Sequence, residues 1–179
     1  GTVRHVVLGG AADAWLVACD SGLAMVHRSA EGVDVIEEPT QDGGHLAHLR
    51  FRGSPARQID APPAALDKAA LGCAAYLVGL MDAALERTRE YLNVRRQFGR
   101  PIGGFQALQH RMVDLKIQVE LARAMVSEAA MAVDAHRSPT ECERLVSTAK
   151  VKAAEAAMLV TRQAIQLHGG IGYTDEADI

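Results

Sequence analysis

The sequence predicts an α+β protein in which a short antiparallel β meander, or partial barrel, precedes an up-and-down bundle of three long helices. Two observations support this class. Apolar residues in the first 60 positions form short runs separated by glycine and charged residues, which is typical of strands joined by tight turns. After position 64 they recur every three or four positions over three long stretches, which is typical of amphipathic helices.

The first 60 residues are predicted to form a partial β-domain. Its five strands are expected at Val3–Leu8, Trp15–Cys19, Leu23–His27, Val33–Ile36 and Leu46–Arg52. Five short strands are few for an independent β-domain. We therefore expect the rest of this domain to lie outside the sequence.

Residues 61–179 are predicted to form a helical bundle domain, with Pro62 and Pro63 at the boundary. Its helices are expected at about 64–96, 105–136 and 140–167. Short connections make consecutive helices antiparallel, so these are three helices of a four-helix bundle that is incomplete at its C-terminus. Thr140 is the predicted N-cap of the third helix, with Glu143 completing a capping box.

Glycines inside the first helix and three scattered cysteines also give expectations. An interior glycine costs about 1 kcal/mol relative to alanine, so Gly72 and Gly79 predict the close approach of a helix or a ligand. Cys19, Cys73 and Cys142 lack metal-ligand spacing and are interpreted as reduced thiols that fill the core.

Composition excludes several classes of function. The chain has 179 residues and is 49% hydrophobic and 23% charged, which excludes a disordered protein. A net charge of −3 provides no basic field to attract nucleic acid. Charges interrupt the apolar runs and the N-terminus lacks an apolar leader, so we expect no membrane span and a cytoplasmic location. His45 and His48 lack a third ligand, so no metal site is predicted.

The most informative stretch runs from Tyr91 to Gln106 and connects the first two predicted helices. Arg95, Arg96 and Arg100 crowd a turn rich in glycine and proline, with Phe98 between them. Guanidinium groups beside an exposed aromatic ring suit a ligand that carries phosphate and a ring. The alternative is an ordinary helix–helix turn with solvated arginines.

Two motifs carry a family resemblance. The pattern R-x-Q-F-G-x-P-I-x-x-F-Q at 95–106 resembles a signature of acyl-CoA dehydrogenases, and Gln166–Tyr173 (QLHGGIGY) resembles their other C-terminal signature. The resemblance implies a flavoprotein with FAD between a middle β-domain and a C-terminal four-helix bundle. It also implies an acyl-CoA substrate, α,β-desaturation, an electron-transfer acceptor, and an oligomer or a heteromeric partner subunit.

The resemblance assigns cofactor contacts to individual residues. Arg95, Gln97 and Phe98 match positions that contact the FAD pyrophosphate and adenosine across a subunit interface. Phe105 and Gln106 match a second contact there. Gln166, Gly169 and Gly170 match a loop whose backbone approaches the same cofactor from the partner chain. The alternative is that these residues only hold a subunit interface.

Other positions depart from the family pattern. Val3, His5 and Val7 stand where the family usually has Lys, Trp and Thr in the pattern G-x-K-x-W-I-T. The resemblance implies that the aromatic residue flanks the flavin ring and that the hydroxyl residue hydrogen-bonds its N5 edge. Ala70 stands where an arginine is common. Ala69 occupies the position at which a minority of members place the catalytic glutamate, so the catalytic base is unknown.

Three hypotheses follow from this mixture of matches and departures. The chain is either part of an FAD-dependent acyl-CoA dehydrogenase, inactive by itself, or a non-catalytic subunit that completes a partner's FAD site. An unrelated helical interaction module is the third hypothesis, and it explains neither motif.

Overall fold

The computed structural model describes residues 1–20, 22–41, 43–60, 65–177 and 179. The chain forms two compact units, Gly1–Pro63 and Ala64–Ile179. The described part of the first is built from β-strands and that of the second from three long helices, which confirms the predicted α+β class. The predicted boundary at Pro62 and Pro63 lies outside the described residues. That the units are parts of the family's middle and C-terminal domains stays a prediction.

The first unit contains six described strands in two three-stranded antiparallel sheets. One sheet has the order β1-β5-β4 and the other β2-β3-β6. The strands are β1 Thr2–Val7, β2 Ala14–Cys19, β3 Gly22–His27, β4 Val33–Pro39, β5 His45–Phe51 and β6 Arg57–Ile59.

All five predicted strands are present and antiparallel, but they do not all pair in sequence order. β1 pairs with β5 rather than with β2, because a 3-10 turn at Gly9–Ala11 separates the first two strands. The indole of Trp15 packs with Ala47 and Leu49, and its Nε1 donates to the Gly9 carbonyl at 2.9 Å. The strand β6 was missed because three residues with one apolar side chain show no periodicity.

The second unit is a bundle of α1 Ala65–Val94, α2 Gln106–Asp134 and α3 Pro139–His168. The helix α3 makes the most extensive contacts, packing against both others. Met81, Val119 and Val160, one from each helix, are fully buried at the centre. Many remaining core positions are alanines, which allow close helix approach. Short connections make neighbouring helices antiparallel, so the end of α1, the start of α2 and the end of α3 lie at one end of the bundle, called here the motif end.

The N-cap of α3 differs from the prediction. Ser138 caps this helix, accepting a hydrogen bond at Oγ from the Glu141 backbone N–H at 3.3 Å, and Pro139 follows as the first helical residue. The predicted cap, Thr140, already lies inside the helix. Proline at the first helical position loses no hydrogen bond, because that N–H has no intrahelical partner.

The structure also corrects the expectations for the cysteines and the helical glycines. Cys19 and Cys73 are exposed and Cys142 is half-buried, so only Cys142 contributes to a core cluster. A Cβ added to Gly72 or Gly79 would meet no atom within 4 Å, so nothing in the described residues approaches them.

The helix α1 meets the length and apolarity criteria for a membrane-crossing helix, the one such helix in the part of the chain that is described. Ala74, Val78 and Met81 on this helix are buried in the bundle core. Core helices of soluble proteins pass the same test. The absence of a membrane span stays a prediction.

Candidate functional site

The connection between α1 and α2 contains a small β-hairpin. Its strands are β7 Arg96–Gln97 and β8 Arg100–Pro101, and its two-residue loop is Phe98-Gly99. The loop residues have φ of 53° and 81°, the signs that a type I′ turn requires. The sequence predicted a turn here and a first helix ending at about 96, whereas α1 ends at Val94. The hairpin was missed because two-residue strands carry no apolar pattern.

Arg95 lies between the end of α1 and the hairpin, with its backbone held on both sides. Its N–H donates to the Tyr91 carbonyl at 2.8 Å, and its own carbonyl accepts from the Ile102 N–H at 2.8 Å. The side chain is exposed, and within the described residues its guanidinium makes no ion pair or hydrogen bond. A fixed backbone with an uncommitted guanidinium suits recognition of an anion.

An aromatic pair and a guanidinium form a second cluster on the same connection. Phe98 is 90% exposed. Its ring lies edge-on to that of Phe105, with centroids 6.1 Å apart, and the Arg100 guanidinium lies 4.0 Å from the Phe105 centroid. A bulky residue at positive φ is an uncommon and strained arrangement. Because Phe98 buries little of its ring in this chain, the strain has no evident compensation from packing.

The start of α2 offers backbone donors beside this cluster. Phe105 is the N-cap residue, and it has no side chain that could accept a hydrogen bond from the first helical N–H groups. Gln106 is the first residue of α2 and is exposed. A helix N-terminus carries partial positive charge and stabilises an adjacent anion.

The second motif forms the end of α3 and the turn that follows it. Gln166 is exposed on the last turn of the helix. Gly169 has a φ of 69°, and its N–H donates to the carbonyls of Ile165 and Gln166. A Cβ on Gly169 or Gly170 would meet no atom within 4 Å, so the space beside both is open in the described structure. Gly172, which the sequence reasoning did not single out, is sterically required because its Cβ would lie 2.8 Å from the Ile165 carbonyl oxygen.

Both motifs lie at the motif end of the bundle, and one contact links the helices that carry them. Tyr91 on the last turn of α1 stacks on His168 at the end of α3, with ring centroids 4.5 Å apart and an interplanar angle of 21°. The structure therefore brings to one end of the bundle two segments that are separated by about 60 positions in the sequence.

A groove of about 650 Å³ between α1 and α2 lies next to the motif end. None of the eight predicted cofactor contacts lines it. Its floor is apolar, and charged side chains on or beside its rim are paired. The hydrogen bond from Arg89 holds the pKa of Glu86 below its ordinary value, and the hydrogen bond to Asp82 raises the pKa of Arg123.

Three of the positions that depart from the family pattern, Val3, His5 and Val7, lie on β1 in the first unit, and the other two, Ala69 and Ala70, lie on α1. His5 has a φ of 58° where the β1–β5 register is interrupted, and its ring packs edge-on against His48 at 5.0 Å. Val7 is 73% exposed. His45 Nε2 accepts from the Gly10 N–H at 3.0 Å. His48 Nε2 lies 3.1 Å from the Glu38 carboxylate but is buried without a hydrogen bond in the described residues. No group of three metal-ligating residues occurs among the described positions.

Comparison with known proteins identifies the family. Residues 60–179, which include the hairpin and the Gln166–Gly170 turn, match the model described as "Acyl-CoA dehydrogenase, C-terminal domain". The chain belongs to the acyl-CoA dehydrogenase family. The resemblance of the two motifs is thereby confirmed at the level of the family, whereas the roles of the eight residues stay predictions.

Relatives and solved structures extend the match beyond the helical unit. Acyl-CoA dehydrogenase IpdE2 of Mycobacterium tuberculosis is 37% identical over 175 residues, covering 98% of this chain and 51% of the relative. A variant of the Tcur3481–Tcur3483 steroid ACAD has a TM-score of 0.89 at 31% identity, covering 99% of this chain and 50% of that one. The ChsE4–ChsE5 complex from M. tuberculosis gives 0.84 at 33% identity, covering 97% and 50%. The chain thus spans about half the length of these proteins.

Proposed function

We propose that this chain supplies part of the FAD site of an acyl-CoA dehydrogenase that introduces a double bond between the α and β carbons of an acyl-CoA thioester. The observation that carries the proposal is the placement of the two family motifs at one end of the bundle. The Arg95 hairpin and the Gln166–Gly170 turn together offer a guanidinium, amide side chains, an exposed aromatic ring and an open backbone.

These groups fit FAD in their chemistry. Arg95 would hold the pyrophosphate, because a guanidinium binds phosphate through two parallel N–H donors. Gln97 and Phe98 would contact the adenosine side, and Phe105 and Gln106 a second part of the same group. Gln166, Gly169 and Gly170 would approach it through backbone that no Cβ obstructs. When bound, the flavin would supply the hydride acceptor for desaturation.

The proposal extends to the surroundings of this site. The helices α2 and α3 would contribute to an oligomer, because both expose apolar side chains such as Ile117, Leu121 and Met158. Residues 1–60 would form the second half of the family's middle β-domain. The assembly would work in the cytoplasm, accept an acyl-CoA substrate and pass electrons to a separate acceptor.

A second candidate is a non-catalytic subunit that completes the FAD site of a heteromeric partner. It is favoured by His5 and Val7 at the flavin-flanking positions and by Ala69 at the position where some members place the base. Tcur3481–Tcur3483 and ChsE4–ChsE5, the two solved structures above, are each named as a pair of chains, which is consistent with such assemblies in the family. Counting FAD against copies of this chain separates the candidates. One flavin for every chain supports a complete dehydrogenase, and fewer flavins than chains support a non-catalytic subunit.

Arg95 provides the decisive test of the proposal, in the complete assembly that contains this chain. A charge-assisted hydrogen bond contributes about 1.5–3 kcal/mol, so Arg95→Ala is expected to weaken FAD binding about 10- to 100-fold. Arg95→Lys should recover only part of the lost FAD affinity, because an ammonium group cannot reproduce the two parallel hydrogen bonds. Flavin absorbance during titration measures the affinity.

The matched control is Arg144→Ala, which removes an exposed arginine near the opposite end of the bundle. Arg100 is unsuitable as a control because it contacts Phe105. If Arg95 only holds a subunit interface, Arg95→Ala will loosen the oligomer in sedimentation while flavin per intact assembly is unchanged. Wild-type flavin affinity in both Arg95 variants would reject the cofactor assignment.

A further inference from the structure

The Tyr91–His168 pair is built differently from the rest of the bundle core. Elsewhere the helices pack through aliphatic side chains and alanine. Here two rings stack, and among the described residues this is the aromatic pair that joins α1 to α3. His168 is 8% exposed, and its Nδ1 lies 2.9 Å from the Ala164 carbonyl oxygen. Because a carbonyl only accepts, Nδ1 carries the proton and the ring plane is fixed.

Each ring belongs to a residue that adjoins one of the two segments proposed to contact the flavin. The carbonyl of Tyr91 accepts the hydrogen bond from the Arg95 N–H, so the position of Tyr91 sets the point from which Arg95 projects. His168 immediately precedes Gly169. A Cβ placed on Gly172 would lie 3.1 Å from the Cβ of His168, so the turn after α3 folds back closely onto His168. The stack therefore connects the backbone at Arg95 with the backbone at Gly169.

We propose that Tyr91 and His168 are positioning residues, whose stack sets the placement of the Arg95 hairpin relative to the Gln166–Gly170 turn. The inference rests on the proposed function for its link to FAD. Neither ring touches the flavin in this proposal. They act by holding the two binding segments at a fixed distance from each other. The entropy lost when a ligand bridges both segments is then smaller.

The test in the complete assembly uses leucine to remove each ring while keeping an apolar side chain. Aromatic stacking contributes about as much as a 3- to 10-fold change in an equilibrium constant. Tyr91→Leu and His168→Leu are each expected to weaken FAD binding by that factor, and the double variant by no more than the larger single effect. Tyr91→Phe, which keeps the ring, should bind as the wild type does, and His168→Phe should bind better than His168→Leu.

Hydrogen exchange provides a readout that does not depend on the flavin. Tyr91→Leu should increase amide exchange at Gly169–Tyr173, and His168→Leu should increase it at Arg95–Pro101, each on the segment that was not altered. Exchange that rises only beside the substitution would overturn the coupling, and so would additive losses of flavin affinity. Lower thermal stability with unchanged flavin affinity would mean that the stack only stabilises the core and does not position the two segments. If the wild type binds no FAD, the proposed function fails, and exchange alone decides the coupling.

Discussion

The two helix–helix connections of the bundle perform the same reversal with different amounts of chain. Four residues, Ala135 to Ser138, join α2 to α3, whereas eleven, Arg95 to Phe105, join α1 to α2. In the short connection Ser138 caps the next helix and Arg137 pairs with Glu141 at 2.9 Å. In the long connection no side chain caps the start of α2, and the guanidinium of Arg95 makes no ion pair or hydrogen bond within the described residues.

The contrast distinguishes a connection that only reverses the chain from one that also presents groups outward. The short connection caps its helix and pairs its arginine, and although His136 within it also has a positive φ of 52°, its Nδ1 lies 2.8 Å from the Asp134 carbonyl oxygen. The long connection holds Phe98 at positive φ and 90% exposed, and one of its three arginines, Arg95, has a guanidinium without a partner in the described residues. Features that cost stability without compensation inside the chain are expected at binding sites.

The largest effect that would test this contrast is expected from a substitution that strains the hairpin loop. Gly99 has a φ of 81°, and an added Cβ would touch nothing within 4 Å. Gly99→Ala therefore adds only backbone strain, about 1–2 kcal/mol for an L-residue in the left-handed region. FAD affinity of the assembly is expected to fall about 5- to 30-fold, with little change in the thermal stability of the bundle.

The matched control for this variant is Gly43→Ala. Gly43 has a φ of 80° and equally open surroundings, but it belongs to the β unit and to neither motif. It should lose similar local stability without losing flavin affinity. Equal flavin losses in the two variants would contradict a binding role for the hairpin.

The short connection should respond in the opposite way. Ser138→Ala removes the N-cap of α3 and is expected to lower the free energy of unfolding by about 1 kcal/mol, while FAD binding stays unchanged. Thr140→Ala, at the position that the sequence suggested as the cap, should change stability by less than about 0.5 kcal/mol. Denaturant unfolding of both variants measures the difference, and a larger loss for Thr140→Ala would show that the cap is misassigned.

The smallest expected effect lies on α2 between the two connections. The hydrogen bond from Lys116 lowers the pKa of Glu120 below its ordinary 4.5. A pKa lowered by folding stabilises the folded state above pH 4.5, and this contribution is lost as pH falls through the lowered value. The stability difference between wild type and Glu120→Gln should therefore shrink in acid and in high salt. In a Lys116→Gln background, which removes the hydrogen-bond donor, the same comparison should show a weaker trend, and an unchanged trend would assign the effect to net charge.

Much of the fold could be predicted because long helices and alternating strands leave a strong periodic signal. The centres of α1, α2 and α3 were predicted, because apolar residues that recur every three or four positions, such as Met112, Leu115 and Val119 on α2, are those that the structure buries or half-buries. Pairing could not be predicted, because the alternation of β1 and β5 does not say which strands are neighbours. Ser138 was missed as a cap because Thr140 and Glu143 have the spacing of a capping box.

The candidate site could be predicted from local sequence as two motifs, and only the family resemblance and the predicted antiparallel packing indicated that they share one place. Nothing local in the sequence says that Gln166 and Arg95 lie at the same end of the bundle. That follows from three antiparallel helices. The stack of Tyr91 on His168 was missed for the same reason, since both side chains fit an ordinary helical stripe. The contact of the Arg100 guanidinium with the ring of Phe105 was not predicted, because a cation over a ring leaves no pattern in the sequence.

The buried indole of Trp15 gives the molecule a built-in optical reporter. It is the single tryptophan of the chain, it is 6% exposed, and it lies in the β unit, whereas nearly all of the helical signal in circular dichroism comes from the other unit. Selective excitation of indole therefore follows the melting of the sheets alone, and far-ultraviolet dichroism follows the bundle. If the two transitions coincide, the units unfold as one cooperative system. If they separate, the stability of each unit can be measured and compared on its own.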